Sequence, residues 1–281
     1  MGRDTAEVVR GFLFIDDLPC DSPRWWVERR FKQAPAEIRS AMETLGYYAS
    51  QLEATLDWQD DCWLATFTVE PGVPVEVGAV SIEVDQPLAG EPPLQALLAD
   101  GRLESGQDFT HKGYESFKDA LLDVARDLGY FDADFTRHRV VVDPAANTAD
   151  VDLMLASGPR YRIGEVLIDQ ALLEPELFAR YLRIEPGAYY DADDLNATYR
   201  NLLESDFFSR VVITPLEELR EAGEVPIRVV ATPSSRRTLQ LGGGYATDTG
   251  PRVRGDLRYR RLNDRGHRAG IGEMNSIEKQ T

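Results

Sequence analysis

Leu45-Gly46-Tyr47-Tyr48 returns as Leu128-Gly129-Tyr130-Phe131, 83 positions on, and again as Ser205-Asp206-Phe207-Phe208. A second phrase keeps almost the same spacing. Glu70-Pro71-Gly72-Val73-Pro74-Val75-Glu76-Val77-Gly78-Ala79-Val80 is echoed by Ala156-Ser157-Gly158-Pro159-Arg160-Tyr161-Arg162-Ile163-Gly164-Glu165-Val166. Two independent phrases at one period define a repeated unit. The period exceeds the roughly 20–50 residues of solenoid repeats and fits a small domain in tandem.

The second unit reads most clearly. Val80, Ile82 and Val84 alternate with Ser81 and Glu83, the pattern of a half-buried strand. Pro92–Leu98 is a short helix opened by prolines, which a first turn tolerates. Tyr114, Phe117, Leu121, Val124 and Leu128 recur at helical spacing, and Gly129 stands where a helix end needs a left-handed residue. Strands over Phe135–Val142 and Asp150–Ala156 follow, joined by the turn Asp143-Pro144-Ala145-Ala146-Asn147. The order is βααββ. In the third unit, Gly164–Asp169, Pro175–Leu182, Asp191–Glu204, Arg210–Thr214 and Val225–Ala231 repeat it. Asp191 caps its second helix and Asp206 replaces the glycine. The first unit has helices over Thr5–Phe14 and ending at Leu45, then strands Gln51–Trp58 and Cys62–Val69, with no first strand. The aromatics after each helix end are expected to plug the gap between helix and sheet.

From Arg236 the helical period vanishes. Val253, Gly255, Leu257 and Tyr259 alternate with Arg252, Arg254, Asp256, Arg258 and Arg260. A membrane barrel strand shows this alternation over about ten residues. Thr247-Asp248-Thr249-Gly250 and Asn263-Asp264-Arg265-Gly266 read as turns, with Leu239–Tyr245 before them and a third strand beginning near Ala269 and Ile271.

The chain of 281 residues carries 48 acidic and 31 basic side chains, a formal charge of −17. That balance argues against nucleic acid and anionic lipid surfaces as general partners, because both need clustered Lys and Arg. No apolar run is long enough for a spanning helix. The N-terminus lacks the basic end, apolar run and cleavage site of a secretory signal. No catalytic spacing and no cofactor site emerges. Gly242-Gly243-Gly244 lacks the ending of a phosphate loop and reads as a bending strand. Asp60-Asp61 and Asp193-Asp194 read as turn and cap residues, and Asn196-Ala197-Thr198 as a helical stretch. Cys20 and Cys62 are either two unrelated thiols or a bridge, their elements being ends that a compact module can bring together.

Tandem βααββ units running into barrel strands resemble the POTRA-bearing outer-membrane protein assembly superfamily, and within it the TamA family of translocation and assembly module subunits. The phrases that carry this are Leu45-Gly46-Tyr47-Tyr48, Pro71-Gly72-Val73-Pro74-Val75, Gly113-Tyr114-Glu115-Ser116-Phe117-Lys118, Leu128–Asp132, Ser157–Gly164, Gly244–Val253 and Asn263–His267. The resemblance implies an α+β chain with POTRA 1 over 1–75 (first strand missing), POTRA 2 over 76–160, POTRA 3 over 161–233, and about three strands of an outer-membrane β-barrel over 236–281. It is expected to be a fragment truncated at both ends. The implied function is non-enzymatic: insertion or secretion of autotransporters and other β-barrel proteins. Its implied partners are unfolded clients, a TamB-like inner-membrane protein and outer-membrane lipid around the barrel. Clients or partners would bind by strand addition, with the POTRA modules in the periplasm. The strand Leu239, Leu241, Gly242, Gly243, Gly244, Tyr245 would form the weakly paired barrel seam. The alternative is a soluble periplasmic scaffold of POTRA type.

Overall fold

The computed structural model describes residues 3–59, 62–246, 250–259 and 269–276. It divides into two compact units, Met1–Ala125 with Ala133–Ser157, and Arg126–Asp132 with Gly158–Thr281. The architecture is α+β, built on βααββ modules.

The first unit opens with α1 (Arg3–Phe12) and α2 (Arg24–Thr44), followed by the hairpin strands β1 (Gln51–Gln59) and β2 (Cys62–Glu70). β1 and β2 pair antiparallel in unbroken register from Gln51↔Glu70 to Gln59↔Cys62. Inward side chains alternate along β2, so Phe67 and Val69 pack towards Val9, Ile38, Ala41 and Met42 of the helices. A neighbouring cluster gathers Ile15, Val27 and Ala34 with Phe31, Trp63 and Ala65. Among the described residues this module has a two-stranded sheet.

The next module is complete. β3 (Glu76–Val84) leads through α3 (Pro92–Leu98) and α4 (His111–Asp127) to β4 (Asp134–Asp143) and β5 (Thr148–Ala156). The sheet order is β3-β5-β4, with β3 parallel and β4 antiparallel to the central β5. β5 carries the core: Val151 is buried, and Leu153 and Leu155 are fully so. The helical period of α4 buries Tyr114, Phe117, Leu121 and Ala125 on one face.

In the second unit, β6 (Arg162–Asp169), α5 (Pro175–Ala179), α6 (Ala192–Glu204), β7 (Phe208–Pro215) and β8 (Glu224–Pro233) repeat the pattern. The order is β6-β8-β7, again parallel then antiparallel. α5 ends earlier than its sequence suggests, because Arg180, Tyr181 and Leu182 donate to carbonyls three residues back and tighten into turns. Asp191 caps α6 by accepting the Asp193 amide at 2.9 Å. Asp206 takes the left-handed conformation, with φ of 61°. Beyond lies an antiparallel sheet of β9 (Arg237–Ala246), β10 (Gly250–Tyr259) and β11 (Ala269–Ser276), ordered β11-β10-β9.

Candidate interaction surfaces

The repeated Gly-aromatic phrase does more than fill a gap behind its own helix. Gly46 has φ of 90°, and a Cβ there would lie inside contact distance of the Phe109 carbonyl oxygen. Its own carbonyl accepts the Val75 amide at 2.9 Å. Tyr47 stays in its module, packed on the Val9–Met42 cluster as expected. Tyr48 departs from that expectation: its hydroxyl pairs with Nε2 of His111, at the start of α4, at 2.9 Å. The left-handed glycine turns the chain so sharply that consecutive aromatics leave on different sides.

The second copy of the phrase lies in the second unit. Gly129, with φ of 87°, has its carbonyl accept the Tyr161 amide at 2.8 Å. Phe131 meets Tyr190 and Tyr161 edge-to-face, with ring centroids 4.8 and 5.7 Å apart. The Arg220 guanidinium lies 5.3 Å from the Phe131 and Tyr161 ring centres and 3.2 Å from Asp132. Tyr161 donates its hydroxyl proton to Asp132 at 2.8 Å. Burial, and then the carboxylates of Asp127, Glu217 and Asp191, push the Tyr190 phenol up to about 12. In the third copy, the Phe207 carbonyl accepts the Ser234 amide at 2.8 Å. The phrase is thus a recurring latch: a tight turn whose carbonyl receives an amide from the segment after the module's last strand.

The sheet edges differ in kind. β3, β4, β6 and β7 are the edge strands of the two complete sheets, and each carries a register shift. The β3 shift lies between Val77 and Val80, at Gly78 and Ala79, where the Ala79 amide donates to Asp150 at 2.8 Å. Gly164 occupies the matching place in β6. Bulges of this kind protect natural edges against unwanted pairing. The β1–β2 ladder has none. Among the described residues β2 pairs only with β1, and beside it opens a cleft of about 360 Å³ lined by α1 and β2.

Cys20 and Cys62 are disulfide-bonded, with Cα atoms 4.4 Å apart, tying the loop before α2 to the start of β2. The Trp63 indole N–H donates to the Pro19 carbonyl at 3.3 Å beside it.

In the last sheet, Leu239, Leu241, Gly243 and Tyr245 pair in register with Leu257, Gly255, Val253 and Pro251, and Leu257 pairs with Ile271. Gly242 and Gly244 pair with Arg254 and Arg252, and Glu273 pairs with Gly255. Thr247–Thr249, Asn263–His267 and Asp60-Asp61 lie outside the described residues.

The remaining polar motifs are local. Burial, and then Asp191 and Asp193, raise the Asp194 carboxyl above its usual range. Thr198 of Asn196-Ala197-Thr198 is fully buried and its hydroxyl accepts the Arg183 amide at 2.8 Å, while Asn196 is exposed on the helix. Among the described residues no group of three or more His, Cys, Asp or Glu could hold a metal, and no helix is long and apolar enough to cross a membrane.

A chain of βααββ modules, each a three-stranded sheet under two helices or a variant of it, defines POTRA architecture. Residues 3–71 match the family described as POTRA domain, TamA domain 1. The first module is therefore similar to the first POTRA domain of TamA, and the modules after it share the βααββ fold. Among solved structures the chain is similar to BamA from Haemophilus ducreyi lacking POTRA domains 1–3. That likeness has a TM-score of 0.57 at 16% identity, over 72% of this chain and 37% of that one. BamA POTRA3–5 from Haemophilus influenzae matches at a TM-score of 0.43 and 18% identity, over 72% of this chain and 80% of that one. CdiB from Acinetobacter baumannii matches at 0.40 and 12%, over 73% and 39%. The chain thus spans little more than a third of the length of the first of these relatives.

Proposed function

We propose that this chain serves outer-membrane protein assembly, as the POTRA-bearing part of a translocation and assembly module that inserts or secretes autotransporters and other β-barrel proteins. The observation that carries the reading is the order of parts: a TamA-type first module, two complete βααββ modules, and then an antiparallel sheet. Along its β10, Val253, Gly255 and Leu257 alternate in sequence with Arg252, Arg254, Asp256 and Arg258. The proposed divisions are POTRA 1 over 1–75, POTRA 2 over 76–160, POTRA 3 over 161–233 and the start of a barrel over 236–281.

The work of such a chain is physical. Sheet edges bind extended segments through backbone hydrogen bonds, which need no particular client sequence. Leu239, Leu241, Gly242, Gly243, Gly244 and Tyr245 would form the seam strand, with glycines that thin the side-chain packing across it. An inner-membrane TamB-like protein and unfolded barrel clients are the partners of this reading. The modules stand in the periplasm and the barrel in the outer membrane.

Size-exclusion chromatography tests the barrel part. The full chain is expected to need detergent, while a chain ending at Pro233 runs as a monomer without it. A clean detergent-free monomer of the full chain would favour the soluble scaffold instead. Loss of surface-displayed autotransporter when the gene is deleted in its host tests the assembly role.

A further inference from the structure

We propose that the face built by Trp25, Trp26 and Trp58 with Arg24, Arg29 and Arg30 seats the first module on the headgroup layer of an anionic phospholipid bilayer. The inference goes beyond the assembly reading and stands on this module alone.

The face is continuous. Trp25 and Trp26, in the first turn of α2, meet edge-to-face with ring centroids 5.4 Å apart. The Arg30 guanidinium lies 4.9 Å from the Trp26 ring centre and 5.3 Å from that of Phe14, and Arg29 lies 5.9 Å from Trp26. Arg24, next to Trp25 in the chain, lies 4.9 Å from the Trp58 ring on β1. Trp25 is 64% exposed, Phe14 57% and Trp58 38%. None of these side chains lines the cleft beside β2, so the face does not depend on what pairs with that strand.

Folding does not account for this composition. An indole contributes most to stability when its large surface is buried, and Trp25 forgoes that burial. Arg24 stands in the first turn of α2, where the helix dipole disfavours a cation, and no acid accompanies it there. Its bond to Glu28, at 2.9 Å, sets the base N-terminal to the acid, which is the weaker order. The helices at the same place in the complete modules, α4 and α6, contain no tryptophan.

Charge names the occupant. Residues 24–32 hold four basic side chains, Arg24, Arg29, Arg30 and Lys32, against the one acid Glu28, which inverts the chain-wide excess of 48 acids over 31 bases. Glu28 is taken by Arg24, and Glu37, later in α2, accepts the Phe14 amide at 3.2 Å. Arg29 and Arg30 meet no carboxylate at ion-pair distance among the described residues. A bilayer reads only such local charge, because physiological salt screens the rest beyond about 8 Å. Each arginine close to an anionic surface gives roughly a fivefold gain in partitioning. The exposed indoles supply the apolar half of the contact, since their amphipathic rings settle at headgroup depth. Arginine and tryptophan on one surface are the combination by which interfacial segments hold to anionic lipid.

All four tryptophans, Trp25, Trp26, Trp58 and Trp63, lie in the first module, so the indole emission of the full chain reports on that module and no other. The test holds the full chain in a non-ionic amphipol and adds vesicles with brominated acyl chains, made of phosphatidylcholine alone or with phosphatidylglycerol mixed in. The expected result is a shift to shorter wavelength with quenching by the phosphatidylglycerol vesicles only, reversed by salt at about 1 M. Arg24→Ala, Arg29→Ala and Arg30→Ala together should weaken partitioning about 100-fold. The three changes to lysine should spare most of it, because a bilayer reads charge, whereas a protein carboxylate reads the guanidinium fork. Equal quenching by both vesicles, quenching by neither, or loss of partitioning in the lysine variant overturns the proposal. So does the same shift with glycerol phosphate alone, which would mean an ion site, or with soluble polyglutamate, which would mean an acidic protein partner.

Discussion

Replacing Gly46 with alanine should destabilise the first unit more than replacing Gly106, although both glycines have nearly the same backbone conformation. Their φ values are 90° and 89°. An L residue forced into the left-handed region loses about 1–2 kcal/mol, and both variants bear that loss. At Gly106 a new Cβ meets nothing within 4 Å, so the loss ends there. At Gly46 the Cβ runs into the Phe109 carbonyl oxygen, and backbone cannot swing aside as a side chain can. Overpacking of that kind adds about 1–3 kcal/mol. The total for Gly46→Ala is therefore about 2–5 kcal/mol, against about 1–2 for Gly106→Ala. Part of the difference should appear as loss of the Val75-to-Gly46 hydrogen bond, read as faster exchange of the Val75 amide. Urea denaturation of both variants supplies the energies. If they agree within about half a kcal/mol, which is the noise of such comparisons, the close approach of the latch to Phe109 is not what the glycine serves.

Phe117, nearly fully buried on α4, should lose about 3–5 kcal/mol on substitution by alanine, measured by the same denaturation. A loss under half a kcal/mol would mean that α4 presents a different face. Tyr190 gives a pH test. Its phenol ionises near 12 in the fold against 10 when unfolded, so the fold holds its proton more tightly. That contribution is complete below pH 10 and declines as pH rises through 12, by about 1.4 kcal/mol per pH unit. Thermal melts between pH 9 and 11 should show the decline, and Tyr190→Phe should flatten it; an unchanged slope in the variant would assign the alkaline loss elsewhere. Removing the Cys20–Cys62 bridge by Cys20→Ser with Cys62→Ser should destabilise the first module by about 2–4 kcal/mol. The midpoint of the second unit should stay fixed.

The modules were legible in the sequence because repetition and periodicity act locally. Helical spacing from Tyr114 to Leu128 and alternation at Val80, Ile82 and Val84 each mark one element without knowledge of its neighbours. Asp191 and Asp206 announced themselves as cap and left-handed residue through their chemistry. What the sequence concealed depends on distant pairing. Nothing near Tyr48 names His111 as its partner, since the contact forms only after α4 is placed. The bulges carried a faint sign in Gly78 and Gly164, glycines inside otherwise regular strands.

The central claim is that these modules bind non-native barrel strands through backbone pairing. It is tested most directly by the affinity of the full chain for a fluorescent peptide copied from an unfolded barrel client, with and without N-methylation at alternate residues. Strand addition uses the amides of one side of the guest. Methylating that side should abolish binding, methylating the other should spare it, and reordering the apolar residues among themselves should change little. Equal tolerance of both methylated peptides, with binding lost on reordering, would mean that side chains alone are recognised and would contradict the account.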